Sequence, residues 1–156
     1  MTRRTTLACL AVVCAAVVAG CGGPSKEDYA QQANGICSQI QKDLQAVSQS
    51  GQTNDPKEIN SRTDQAVKAF STGVDRIKGL DKPDGDAGEQ AEQFTAAFEK
   101  FLEQDYRPGV EKLQKAVNSR DREQIRNAAL SLRNINTQDV NRLAGQLGVT
   151  ECASGA

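Results

Sequence analysis

The sequence predicts an all-α fold: an up-down-up-down four-helix bundle that follows a cleaved signal peptide and carries one disulfide. Apolar residues recur at steps of three and four along four stretches, which is the spacing of a helix with one buried face. Short segments rich in Gly, Pro, Asp and Asn separate these stretches. No run alternates apolar and polar residues for long enough to indicate a strand. Helices joined by short linkers are therefore the expected architecture.

The first 20 residues have the three-part plan of a secretory signal. Arg3 and Arg4 precede an uncharged core of Ala, Val and Leu, and small residues close the segment. This core is shorter than the roughly 20 apolar residues that a permanent membrane helix needs. We therefore expect residues 1–20 to be removed as a signal peptide. Residues 21–25 would then form a tether, and residues 26–156 the helical domain.

The tetrapeptide at residues 18–21, Val-Ala-Gly-Cys, resembles the bacterial lipobox, in which one aliphatic and two small residues precede a cysteine. The resemblance implies that Cys21 receives a diacylglyceryl group and becomes the first residue after cleavage. Acyl chains would then hold the protein on the extracytoplasmic face of the cell membrane. The alternative is an ordinary signal peptide that leaves Cys21 as a free thiol. Residues 2–7 also loosely resemble a twin-arginine signal, so that export route stays open beside the general secretory one.

The five cysteines of the chain sort by position. Cys9 and Cys14 lie in the signal core and leave with it, and Cys21 is assigned to lipid. Two cysteines remain, and an even remainder outside the cytoplasm predicts a disulfide, here between Cys37 and Cys152. The competing interpretations are two free thiols or a catalytic cysteine, and the second is weaker because the chain contains no His to activate a thiol.

Composition argues against several classes of function. Without its first 20 residues the 156-residue chain keeps 136 residues, enough for one domain, and loses Arg3 and Arg4, so that its net charge moves from −1 to −3. Such a chain lacks the clustered Lys and Arg that bind phosphates, so we expect no nucleic-acid partner. The carboxylates fall on polar helix faces, where burial does not tune them for acid-base work, so no enzymatic activity and no cofactor are expected.

The acidic loop around Asp81, Asp84 and Asp86, with Glu89 nearby, could gather oxygen ligands around Ca²⁺. It lacks the Asp-x-Asp-x-Asp-Gly register and the correctly spaced Glu of a calcium loop. Helix capping accounts for the same residues, so we predict no metal site.

The first two helices have clear start signals. Ser25 followed by Asp28 has the pattern of a reciprocal helix cap, and the apolar stripe of the first helix continues to Val47. Asp55 followed by Pro56 predicts the second start, because proline fits the first helical position at no cost in hydrogen bonds. The second helix is expected to end near Leu80, before a loop of Pro, Gly and Asp.

The third helix is predicted from a cap at Asp86, and Pro108 interrupts it. Because proline removes an amide donor and crowds the preceding turn, we expect a kink near Tyr106 and Arg107, with a break into two helices as the alternative. A fourth helix is predicted from Asp121 to residue 147. Its stripe would end at a C-cap glycine, Gly148, with Val149 folded back on the last turn.

Tyr106 and Arg107 are the candidate ligand-binding residues, because an aromatic ring and a guanidinium coincide there with a helix interruption. Backbone carbonyls freed beside Arg107 could recognise a carboxylate or a sugar. The alternative is a tyrosine at the edge of the core and an arginine on the surface.

Two patterns in the domain, Tyr29-x-x-x-Ala-x-x-Ile-Cys37 and Leu147-Gly-x-x-x-Cys152, resemble small helical envelope lipoproteins of actinobacteria. The resemblance implies a helical bundle with one disulfide outside the membrane, in a group of proteins that largely lacks an assigned activity.

The leading hypothesis is a non-enzymatic, lipid-anchored module that binds an envelope component or a partner protein. The alternative is an extracytoplasmic carrier of a small ligand or ion, with its site between helices near Pro108. A partner module should expose an apolar patch of several hundred Å². A carrier should enclose a pocket of roughly 300 to 1,000 Å³. If the domain had neither the patch nor the pocket, a spacer role would remain.

Overall fold

A computed structural model describes residues 22–49 and 53–154 of the chain. All regular elements within these residues are helices, which confirms the predicted all-α class. The predictions for the signal peptide, for Cys9 and Cys14, and for lipidation of Cys21 lie outside the described residues. No helix in the described part is long and apolar enough to span a bilayer.

Seven α-helices and one π-helical segment follow one another in this part of the chain. The α-helices are α1 (Lys26–Gln49), α2 (Pro56–Lys78), α3 (Asp86–Lys100), α4 (Arg107–Ser119), α5 (Arg122–Arg133), α6 (Gln138–Leu147) and α7 (Thr150–Ser154). The π segment, Phe101–Tyr106, joins α3 to α4 without a break. α1 packs on α2, α4 lies between α2 and α5, and α6 packs on α3.

Three of the predicted helix starts are confirmed. The Asp28 N–H donates to Ser25 Oγ (3.1 Å) and the Ser25 N–H donates back to Asp28 Oδ2 (3.3 Å), so this pair forms the reciprocal cap of α1. Asp55 accepts the N–H of the residue two positions later at 3.0 Å. Asp121 accepts the equivalent N–H at 2.9 Å. These carboxylates satisfy amides that the first helical turn leaves unpaired.

The expected cap at Asp86 is wrong by one residue. Gly85 occupies the N-cap position of α3, with no side-chain cap, and Asp86 is the first helical residue. The Gly85 carbonyl accepts the backbone N–H of Glu89 at 3.2 Å. The Asp86 carboxylate still lies at the positive end of the helix dipole, where a negative charge is favourable.

The interruption predicted near Pro108 is a π segment inside a continuous helix. Arg107 keeps helical angles (φ −57°, ψ −51°), and its N–H donates to the Leu102 carbonyl five residues earlier. Pro108 has no N–H to donate and its ring would crowd the carbonyl four residues back. A wider π turn immediately before the proline relieves that crowding. The alternative of two separate helices is therefore wrong.

The predicted single fourth helix is also wrong, because residues 134–137 divide it into α5 and α6. The Asn136 side chain accepts the N–H of Gln138 at 2.9 Å, and the Thr137 carbonyl accepts the N–H of Asn141 at 2.9 Å. Short polar side chains bond to the local backbone in this way and compete with a continuous helix. The break allows α5 to pack on α4 while α6 packs on α3.

The main core lies between α1, the second half of α2, α3, α6 and α7. Its buried members include Tyr29, Ala33, Ile36, Val74, Ile77, Phe94, Phe98, Leu102, Val140, Leu143, Leu147 and Val149. At its edge the Phe70 ring lies 5.0 Å from Phe98 and 5.2 Å from Tyr106, measured between ring centroids. In contrast, α5 contributes no buried residue. Apolar burial is therefore concentrated in one half of the domain.

The end of α6 has the predicted glycine cap. Gly148 adopts a left-handed conformation (φ 79°), which glycine reaches without steric cost. The Val149 N–H then donates to the Ala144 carbonyl at 2.8 Å, and the Val149 side chain is fully buried. This is the hydrogen-bond pattern of a Schellman motif, and it turns the chain back towards α1.

Asn34 of α1 holds the C-terminal segment. Its side-chain amide donates to the Gly148 carbonyl (3.1 Å), and its side-chain oxygen accepts the N–H of Glu151 (2.9 Å). One helical turn further along α1, Cys37 meets Cys152, with 5.1 Å between the two Cα atoms. The two cysteines that the sequence analysis paired therefore lie at disulfide distance.

We expect Gly73→Ala to destabilise the protein by about 1 to 3 kcal/mol, the usual cost of overpacking a core. A Cβ atom at Gly73 would lie 2.2 Å from Cδ1 of the buried Ile40, because α1 and α2 approach closely there. Denaturant unfolding followed by circular dichroism measures the change.

Gly35→Ala is the matched control, since a Cβ there meets nothing within 4 Å and alanine favours a helix by up to about 1 kcal/mol. Equal or higher stability of Gly73→Ala relative to the wild type would contradict the close approach of α1 and α2.

Candidate functional site

A groove between α2 and α4 is the candidate functional site. It has a volume of about 430 Å³, opens to solvent, and is lined by Asp64, Val67, Lys68, Ser71, Thr72, Arg107, Val110, Glu111 and Gln114. That volume lies within the range of small-ligand sites. The groove belongs to the half of the domain with little apolar burial.

Hydrogen bonds between side chains join α2 to α4 along this groove. The pairs are Arg107 Nη2 to Ser71 Oγ (3.1 Å), Gln114 Nε2 to Thr63 Oγ1 (2.8 Å) and Asp64 Oδ1 (2.7 Å), and Asn60 Nδ2 to Asn118 Oδ1 (2.9 Å). We call these pairs the polar ladder. Because residue numbers fall along α2 as they rise along α4, the two helices are antiparallel. The ladder members repeat at helical spacing, so each helix contributes one polar face.

The groove carries charges of both signs above an apolar floor. Asp64 and Lys68 lie on α2, Arg107 and Glu111 lie on α4, and the four formal charges sum to zero. Val110, which is buried, contributes to the floor. Such a surface can pair with opposite charges on one ligand or peptide, and each charge-assisted hydrogen bond also fixes direction.

The structure separates the two predicted ligand-binding residues. Arg107 lines the groove, where its Nε donates to Glu103 Oε1 (2.9 Å) and its Nη2 donates to Ser71. Tyr106 instead stacks on Phe70, with an interplanar angle of 28°, at the edge of the core. The tyrosine therefore has the structural position that the sequence analysis gave as the alternative, whereas the arginine faces a cavity.

The other members of the polar ladder were not among the residues predicted from the sequence. Gln114, which is half-buried, and Asn118, which is exposed, lie four residues apart on α4. The helical spacing of these amides from the buried Val110 was the available signal. Their partners on α2 depend on how the two helices are rotated, which the sequence does not reveal.

Other predicted sites can be placed as well. In the described residues, no three His, Cys, Asp or Glu side chains gather closely enough to hold a metal ion. In the acidic loop, Asp84 Oδ2 accepts the N–H of Gly23 at 3.1 Å. Leu130 of α5, which is 48% exposed, is the large apolar side chain that the described surface leaves exposed.

No protein family matches the chain, and no curated protein or solved structure matches it. A function is therefore inferred from the residues of this chain. The features that bear on it are the lipobox-like tetrapeptide, the polar ladder and the mixed-charge groove.

Tyr29 and Tyr106, the two tyrosines of the chain, should ionise at a higher pH than a tyrosine in an unfolded chain. Burial raises the pKa of Tyr29, with the neighbouring Thr95 hydroxyl opposing the shift, and burial raises the pKa of Tyr106. Above pH 10.0, the ordinary pKa of tyrosine, the unfolded chain releases these protons first. The stability of the protein should therefore fall as the pH rises from 10.0 through the raised pKa values of the folded state.

Ultraviolet absorbance of tyrosinate during an alkaline titration measures this, and denaturant-unfolded protein is the control, with ionisation near pH 10. Native protein that ionises both phenols at the same pH as the unfolded control, while its circular dichroism stays folded, would contradict the buried positions.

Proposed function

We propose that this protein is a lipid-anchored, non-enzymatic helical module of the cell envelope that binds an envelope component or a partner protein. The observation that carries the proposal is how closely the anchor sequence precedes the folded domain. The lipobox-like residues 18–21 end four positions before Ser25, the N-cap of α1. The chain from Cys21 to Ser25 reaches about 14 Å when extended, so acyl chains on Cys21 would hold the domain close to the bilayer.

Export of the chain across the membrane would also account for its other features. Residues 1–20 would be removed as a signal peptide, and residues 26–156 would fold outside the cytoplasm. Cys37 and Cys152 would then oxidise to a disulfide, with a sequence separation of 115 residues. Closing a loop of that length is worth about 4 to 5 kcal/mol in the chain-entropy model.

The groove supports binding better than catalysis. Its one serine, Ser71, accepts a hydrogen bond from Arg107, which cannot act as a base near neutral pH. The chain also has no His that could serve as a proton carrier. Beside the groove, the buried side-chain oxygen of Asn60 accepts no hydrogen bond from the described residues. A partner that brings donors and charges of both signs would satisfy these groups.

A small-ligand carrier is the second candidate. The position of Arg107 favours it, because the guanidinium of the π segment's C-cap residue lies directly in the 430 Å³ groove. It ranks second because the groove is open to solvent, whereas small-molecule sites usually bury most of the ligand surface.

Cys21→Ala should move the protein from the membrane fraction to the medium or to an unprocessed pool, because only a thiol at this position can receive the diacylglyceryl group. Fractionation of cells of the native host, combined with labelling by a radioactive fatty acid, measures both properties. Cys9→Ala is the matched control, since that cysteine would leave with the signal peptide. Continued fatty-acid labelling of Cys21→Ala would refute the anchor.

Arg107→Ala should reduce the recovery of a bound partner by roughly tenfold, which corresponds to the loss of one charged hydrogen bond. Crosslinking in intact cells followed by mass spectrometry identifies and quantifies the partner.

Arg126→Ala, an exposed arginine on α5, is the control and should leave recovery unchanged. Equal recovery with Arg107→Ala would remove the groove from partner binding. A homogeneous small molecule that copurifies with the wild type and is lost from Arg107→Ala would favour the carrier.

A further inference from the structure

The tether that follows Cys21 lies against the folded domain. The Gly23 N–H donates to Asp84 Oδ2 at 3.1 Å, in the loop between α2 and α3. A Cβ atom on Gly23 would lie 2.7 Å from the Lys82 carbonyl oxygen, so only glycine allows this approach without displacement. A Cβ atom added at Gly22 would lie 3.5 Å from Asp84 Oδ2, at ordinary van der Waals distance from the same loop. The first residues of the described chain are thus held in place.

The loop that holds the tether defines one end of the domain. α1 and α3 begin there. The loop that follows α2 runs along α3 to reach this end, because Lys78 pairs with Glu99 and Lys82 pairs with Glu92. We call residues 22–28 and 81–86 together the anchor end. The antiparallel course of α2 and α4 places the Asn60–Asn118 pair towards the opposite end. The polar ladder therefore extends away from the anchor end.

We propose that the anchor end faces the outer leaflet and that the docked tether holds the domain upright on it. This inference rests on the proposed lipidation of Cys21. Consecutive Cα atoms are about 3.8 Å apart. With Gly22 docked, a lipidated Cys21 would therefore be only one residue away from the domain. An undocked tether from Cys21 to Ser25 would reach about 14 Å and would let the domain lie on its side.

Charge does not supply this orientation. Asp81, Asp84 and Asp86 are exposed at the anchor end, and anionic headgroups repel carboxylates. The covalent acyl chains and the docked glycines would hold this end near the bilayer in spite of that repulsion. The orientation therefore depends on the fit of the tether and should survive high salt.

An upright domain presents the groove to partners in the envelope. At 1.5 Å per residue, the stretch of α2 from Ser71 to Asp64 lies about 12 to 22 Å beyond Gly79 along the helix axis. Pro56, the first residue of α2, lies about 35 Å beyond it. A partner would therefore reach the groove without entering the headgroup region.

Neutron reflectometry of the full lipidated chain in a supported bilayer tests this orientation, with equal parts of phosphatidylethanolamine and phosphatidylglycerol. The wild type should form a protein layer about 50 Å thick, close to the length of the continuous helix from Asp86 to Ser119. Gly23→Ala blocks the docked tether outside the folded core and should thin the layer by about 10 Å or more. Gly35→Ala, whose added Cβ meets nothing within 4 Å, should match the wild type.

Intact mass of the same samples separates the two possible failures. A diacylglyceryl adduct with a wild-type layer of about 20 to 25 Å, the thickness of two helices, would overturn the upright orientation and leave the anchor standing. An adduct with equal layers for wild type and Gly23→Ala would overturn the role of the docked tether. No adduct and no layer would overturn the anchor and this inference with it.

Discussion

The attachment of the C-terminal segment to α1 is the constraint on which the fold depends. Asn34 bonds to both sides of the turn between α6 and α7, through the Gly148 carbonyl and the Glu151 N–H. This fixes the segment so that Cys152 faces Cys37 and Val149 is fully buried. α7 packs on both α1 and α6, so losing that attachment would uncover the part of the core between them. Contacts between α1 and the C-terminal segment, which are far apart in the sequence, thus close the core.

The domain divides into halves with different physical character. Near the anchor end, buried aliphatic and aromatic side chains hold α1, α3 and α6 together, and such packing tolerates little change. At the opposite end, α2 and α4 meet through the polar ladder, whose hydrogen bonds each contribute only about 0.5 to 1.5 kcal/mol because water can replace them. A partner with its own polar groups can compete for those contacts. The half with little apolar burial is therefore the half suited to recognition.

Local signals in the sequence predicted much of the fold, because caps act over a few residues. Ser25, Asp55 and Gly148 have the roles that their patterns indicate. The division of the fourth helix was missed because its apolar stripe continues through Ile135 to Val140 across the break. The polar ladder was missed for another reason: which faces of α2 and α4 meet depends on tertiary packing. Of the candidate ligand-binding pair, the sequence placed Arg107 beside a cavity but could not show that Tyr106 points to the aromatic core.

The proposed maturation puts lipid on Cys21 and a disulfide between Cys37 and Cys152, which would tie α1 to the C-terminal segment. Intact-mass analysis of protein from the native host, alkylated before any reductant is added, tests it most directly. We expect a species that begins at Cys21, carries a diacylglyceryl adduct, and takes up no alkylating reagent at Cys37 or Cys152. A species without an acyl adduct, or one alkylated at both of those cysteines before reduction, would contradict it.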